Sequence, residues 1–246
     1  MIKKTKSSKK VSRSKIWLKV WKKKGIKLKD STIDKIIAAD GFDSTFGGFN
    51  KKNWFVYIKN IFLKINIKNN SKILEFGCGA SAFLNYFYNK KYNLYGIDYS
   101  KELIKKGKKY FPKIEFKCGE ISAINSFNKK FNLIISHSVF HYFDNYQYAK
   151  SLMKEMLLNL DSKGYICILD VPDKDKEQKF KKELIKQIGN NEYKKKYGNN
   201  THLFYKKKFF KNFGKQNNLK TYIYNQNFRF YKNSKFRYNI FFQKKI

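Results

Sequence analysis

Apolar residues along this chain gather into five short runs, at 73–76, 93–97, 114–118, 131–136 and 164–171, with longer amphipathic stretches between them. Each run has the length of a strand. The intervening stretches carry helical spacing instead, as at 53–65, where Trp54, Ile58, Ile61, Phe62 and Ile65 recur on one face. Strands alternating with helices predict a parallel sheet covered on both sides. The last third predicts a helix over 178–188, a second over 208–216, and two closing strands at 220–225 and 236–242.

The chemistry sits where the runs end. Ile73-Leu74-Glu75-Phe76 leads into Gly77-Cys78-Gly79 and then the start of a helix. Glycines there let the backbone turn sharply and approach a ligand closely, because neither carries a Cβ. Glu75 offers an acceptor-only carboxylate to a ligand amine or hydroxyl. This is not the G-x-G-x-x-G dinucleotide fingerprint, since Ala82 stands where its last glycine would fall. The second run ends in Asp98-Tyr99, and an acid at that distance suits ribose hydroxyls. The third run leads to Glu120-Ile121, the fourth to Ser136-His137-Ser138, and the fifth to Asp170.

With these residues in order, the chain resembles the class I, Rossmann-like methyltransferases that use S-adenosylmethionine, over about residues 50–245. The carrying elements are Glu75-x-Gly77-x-Gly79, Asp98, Glu120, 131–136, and Leu160 leading the turn to Gly164. The resemblance implies a seven-stranded α/β sheet, mostly parallel with a C-terminal antiparallel hairpin and helices on both faces. It also implies S-adenosylmethionine as methyl donor. Cofactor contacts would come from Glu75, Phe76, Gly77, Gly79, Asp98, Tyr99, Glu120, Ile121 and the Ser136 carbonyl. An Asp is more usual than Glu120 at its position. The fourth run lacks the Asn/Asp-Pro-Pro-Tyr/Phe motif of amino-methylating enzymes, and its Ser136-His137-Ser138-Val139 resembles small-molecule methyltransferases. The fuller pattern, with Asp40-Gly41-Phe42-Asp43 and Leu169-Asp170-Val171-Pro172, resembles bacterial enzymes of surface-sugar or lipid-linked glycan biosynthesis.

An oxygen acceptor needs a base, and His137 and His141 follow the fourth strand, where a near-neutral pKa suits proton abstraction. For His141, within Val139-Phe140-His141-Tyr142-Phe143, a packed turn is the competing reading. Asp170, His202 and Tyr205 are candidates on the substrate side, and Asp170 serves equally well as a turn cap. The organisation expected is a basic tail over 1–29, disordered or loosely helical, then an N-terminal helical lid segment at 30–70. A methyltransferase domain fills 71–246, with a cap-like insertion at about 173–207.

Composition changes this picture in one respect. The formal net charge is +37, but residues 71–172 hold 15 Lys against 9 acids, whereas 1–29 hold 13 Lys+Arg and no acid, and 174–246 hold 21 against 4. The excess lies outside the core of the domain. A basic surface attracts phosphates without specifying them, so an RNA methyltransferase is the first rival reading. A codon bias toward A+T also yields Lys, Asn, Ile, Phe and Tyr together, with only three arginines and two prolines, and needs no partner. A non-catalytic protein that keeps the fold is the second rival, disfavoured by the presence of Gly77, Gly79 and Asp98. Cys78, Cys118 and Cys167 have neither C-x-x-C spacing nor a histidine cluster, so no metal site is expected. No apolar run reaches transmembrane length, and a cytoplasmic small-molecule enzyme of undetermined oligomeric state is the expectation.

Overall fold

The computed structural model describes residues 12–43, 48–198 and 202–245. Three helices precede the sheet: α1 (Arg13–Lys27), α2 (Ile33–Ala39) and α3 (Lys51–Phe62). The sheet domain continues with β1 (Lys72–Phe76), β2 (Asn93–Asp98), α4 (Lys101–Tyr110), β3 (Glu115–Cys118), β4 (Phe131–His137), α5 (Tyr146–Leu158) and β5 (Leu160–Pro172). After it come α6 (Glu177–Ile188), α7 (Asn190–Tyr197), α8 (Lys207–Gln216), β6 (Leu219–Asn225) and β7 (Arg237–Lys244).

Helix starts follow short polar side chains. Asn50 accepts from the Asn53 amide, Asn145 from Tyr148 and Ser100 from Leu103, each satisfying an N–H that the first helical turn leaves free. In α4, Glu102 in the first turn with Lys108 and Lys109 in the last complements the helix dipole.

The strands form one seven-stranded sheet in the order β3-β2-β1-β4-β5-β7-β6. The first five are parallel, and β7 runs antiparallel between β5 and β6. Alternate residues face opposite sides. Ile73, Leu133, Ile135 and Cys167 pack into one core, while Leu74, Phe76, Ile134 and Ile168 pack into the other. Burial on both faces is why these runs are continuously apolar. This is the class I, Rossmann-like architecture that the resemblance implied.

Two elements differ from expectation. The stretch after the glycine turn gives a 3-10 turn at Leu84–Phe87 and no α-helix, because Ser81 sits at φ 74°, outside helical space, where that helix would begin. The basic N-terminal stretch is helical from Arg13, packed on α4, while residues 1–11 lie outside the described part. The insertion after β5 folds as α6 and α7 around Phe180, Leu184 and Phe204, and returns where Asp173 bridges Tyr205. No helix among the described residues is long and apolar enough to cross a membrane.

Candidate functional site

Strand order reverses between β1 and β4, and in open α/β sheets ligands bind at the carboxyl ends of the strands flanking that point. Here the ends of β1, β2 and β4 open into a cleft of about 1000 Å³, counted out to its mouth. The glycine loop forms its floor. Gly77 (φ 75°) and Gly79 (φ 54°) both occupy left-handed backbone. A side chain at Gly77 would collide with Val139, and one at Gly79 with the Asp40 carboxylate. The loop is held down by the Gly77 and Cys78 amides, which donate to Ile97 O at 2.7 and 3.0 Å. The Gly79 amide donates to Asp98 Oδ2 at 2.9 Å.

Asp98 accepts on its other oxygen from the Ser100 amide at 2.7 Å, which leaves each oxygen a further lone pair. Asp40, the residue after α2, reaches back to the loop: Ala80 N donates to Oδ1 at 2.7 Å and Ala82 N to Oδ2 at 2.8 Å. Glu75 is buried behind the loop. The Leu84 amide donates to its carboxylate, whereas Oε2 has no hydrogen-bond partner. Desolvation pushes Asp40 up to about 7 and Asp98 up to about 6, against the pull of their amide donors. Glu75 is raised as well, by burial and then by the charges of Asp40 and Asp98.

The walls are aromatic and acidic. Trp21 from α1, Tyr99, Tyr142 and Tyr148 line the cleft, together with Asp40, Asp98, Glu120 and Asp144. Among the described residues no Lys or Arg lines it, although the chain holds 55 of them against 18 acids. The start of α1 closes the mouth, where Ser14 donates to Asp144 through its amide (2.9 Å) and its hydroxyl (2.8 Å).

Behind the end of β4 lies a buried polar network. Gln226 Nε2 donates to the Tyr57 hydroxyl at 3.2 Å, and that hydroxyl lies 3.0 Å from His137 Nε2. The Tyr57 hydroxyl thus engages Nε2 of the imidazole whichever of the two carries the shared proton. Desolvation, with Arg237 adding to it, pushes His137 down to about 3. Ser138 (φ 56°) and Asp170 (φ 61°) both sit in left-handed backbone at neighbouring strand ends. Ser138 Oγ donates to Asp170 Oδ2 at 2.8 Å, and the Tyr231 hydroxyl reaches the same oxygen at 3.0 Å.

Of the residues expected to hold cofactor, Phe76, Gly77, Gly79, Asp98, Tyr99 and Glu120 line the cleft. Glu75, Ile121 and Ser136 are buried beside it without lining it. His137 lines it, whereas His141 does not. His141 is buried against Tyr142 and His202, with ring centroids 4.0 and 4.5 Å away. His202 also packs on Trp17, and its ring is pushed down to about 3 by burial. Tyr205 donates to Phe140 O at 2.9 Å within the second core, and Asp170 belongs to the network behind Ser138. No described residue of 173–207 lines the cleft. The sequence pattern assigned no role to Tyr57, Gln226 or Trp21, because each is brought to the site by long-range packing, nor to Ser138, whose partner Asp170 lies 32 residues away.

Comparison with known proteins agrees with this geometry. Residues 67–227 match the family model described as a methyltransferase domain. "Putative methyltransferase 235L" of Invertebrate iridescent virus 6 is 29% identical over 92 residues, 36% of this chain and 34% of that protein. The match thus spans about a third of that relative's length. Among solved structures, the plantazolicin methyltransferase BpumL, in complex with a triazolic desmethylPZN analog and SAH, superposes with a TM-score of 0.60 at 15% identity, covering 94% of this chain and 99% of that one. A TehB-like SAM-dependent methyltransferase from Corynebacterium glutamicum gives 0.52 at 16% identity, with 94% and 98% covered. At such identities these structures speak for the fold. The cleft at the sheet's reversal point, the glycine loop and the matched family model together show that the chain belongs to the methyltransferase-domain family, within the class I, S-adenosylmethionine-dependent methyltransferase superfamily.

Proposed function

We propose that the protein transfers a methyl group from S-adenosylmethionine to a hydroxyl of a small neutral acceptor, with a sugar as the class that fits best. The observation that carries this reading is the glycine-floored cleft lined by four carboxylates and, among the described residues, no basic side chain. The residues fit the cofactor. Gly77 and Gly79 leave room for close approach of its amino-acid arm, Asp98 keeps acceptor capacity for ribose hydroxyls, and the free Glu75 Oε2 suits a donor. The bound cofactor supplies a methyl group already activated on a sulfonium.

The chain's own part is then positioning and proton management. Trp21 and Tyr142 wall the cleft against water, and α1 closes its mouth through Ser14 and Asp144. His137 is a poor base, since its Nε2 is already engaged by the Tyr57 hydroxyl and burial holds its imidazole neutral well below ordinary pH. The hydrogen-bonded route out of the cleft runs from Ser138 Oγ to the Asp170 carboxylate. An acceptor hydroxyl can pass its proton to Ser138 Oγ as Ser138 passes its own to Asp170. The acidic lining disfavours RNA, and a nucleotide-sugar acceptor would keep its diphosphate outside, among the surface lysines. The reading carries a cytoplasmic setting with it, since the donor is a cytosolic metabolite.

Binding of labelled S-adenosylmethionine tests this. Asp98→Ala and Gly77→Val should each weaken it by about tenfold or more, the scale of lost hydrogen bonds to a charged group. Unchanged binding in both would refute the reading. Mass spectrometry of cell extract incubated with the enzyme should then find the label on a sugar and not on RNA.

A further inference from the structure

The balance of charge at the cleft floor goes beyond holding a cofactor. Asp40 arrives from the N-terminal helical segment, and both its oxygens are pinned by the Ala80 and Ala82 amides at 2.7 and 2.8 Å. Asp98 lines the same floor, and Glu75 lies within electrostatic reach of both with one oxygen unpartnered and 2% of the residue exposed.

The groups facing Asp40 do not neutralise it. From α1 comes Lys24, whose Nζ is committed to Asp43 Oδ2 at 2.7 Å and to Ala38 O at 3.0 Å. The glycine loop offers the Cys78 thiol, which burial keeps protonated. From β4 comes His137, stacked on Phe42 and held neutral. Asp43 is paired with that lysine, and Glu75 and Asp98 bring two further carboxyl groups with no cation of their own. A surplus of carboxylate thus remains in a chain whose net charge is +37, at the one place where a cationic ligand would sit.

We propose that Asp40 reads the charge of the ligand: with Asp98 and Glu75 it makes the cleft hold the sulfonium donor more tightly than the neutral thioether left after methyl transfer. This rests on the methyltransferase reading above. Donor and product differ by one methyl group and one positive charge, so shape complementarity alone separates them little. Attraction between a sulfonium and fixed carboxylates in a poorly solvated site separates them strongly. Discrimination of this kind lets spent cofactor leave without competing with fresh donor.

Calorimetric titration of the wild type at pH 7.5 with S-adenosylmethionine and S-adenosylhomocysteine tests it by the ratio of the two affinities. The donor should bind about tenfold tighter or more, and Asp40→Asn should cut that preference to about threefold or less. Glu75→Gln should shift the ratio in the same direction and replaces the first variant if that one fails to fold. Acidification from pH 7.5 to 5.5 adds an arm within the wild type. Its preference should shrink as Asp40, at about 7, takes up a proton, whereas that of Asp40→Asn should hold until Asp98 titrates near 6. Equal weakening of both ligands in Asp40→Asn, with the ratio unchanged, would show that Asp40 only caps the loop and would overturn the proposal. So would a wild type that binds product as tightly as donor. A folded wild type that binds neither ligand would overturn the methyltransferase reading as well.

Discussion

Gly77 and Gly79 show how much a single residue carries here. Each is needed twice, once for its left-handed backbone and once for the space its missing side chain leaves to Val139 or Asp40. Gly77→Ala should lower stability by about 1–3 kcal/mol, the usual cost of overpacking a tight contact. Adding Val139→Ala should recover part of that loss but not the backbone strain, as thermal unfolding of the three variants would show. Asp40 has the opposite character, since its carboxyl is raised in the fold. The folded state then binds more protons than the unfolded one between the ordinary carboxylate range and about pH 7. Its stabilising contribution is complete below that window and fades as pH rises through 7. The neutral buried histidines work the other way below pH 6.5, because they resist the proton that the unfolded chain accepts. The informative quantity is therefore the melting temperature of wild type minus that of Asp40→Asn, which should fall between pH 5.5 and 8. A difference that stays flat with pH would contradict the assignment.

Among elements, α1 departs most from its sequence. Residues 13–27 contain no acid, six lysines and one arginine, so solvated charge hides the pattern that makes them a helix. Ser12 caps the helix, Trp17 and Trp21 turn toward Tyr142, and Gly25 lets the backbone close on α4, where a Cβ would lie 2.7 Å from that of Glu102. Gly25→Val should pry α1 off α4 while leaving the sheet intact. Hydrogen exchange would then quicken across 13–27 with β1, β4 and β5 still protected; protection unchanged in α1 would count against the packing described. The strands, by contrast, were legible because burial on both faces makes them continuous apolar runs, and the glycine loop because its residues are adjacent. The Tyr57–His137 contact and the Ser138–Asp170 pair were not, since their partners lie 80 and 32 residues apart and only the folded sheet joins them. The helix expected after the glycine loop failed at Ser81, whose positive φ no propensity scale reveals.

At the scale of the molecule, the surface and the cleft carry opposite charge. A field from +37 repels a cation at a distance, and salt screens that repulsion, while contacts inside the cleft are screened far less. Donor affinity should therefore stay flat or rise between 50 and 300 mM salt, to within about twofold. Any RNA bound by the lysines should instead dissociate steeply over the same range. A donor affinity that falls with salt as steeply as RNA binding would show its carboxylate contacts to be fully solvated, against the shielded cleft described here. The arrangement of the three tryptophans has a practical corollary. Trp21 borders the cleft, Trp17 stacks on it at 6.3 Å, and Trp54 meets His137 edge-on at 5.4 Å. Every indole thus borders the cleft or packs on a residue that does, and their ultraviolet emission is a built-in optical gauge of occupancy that needs no attached dye.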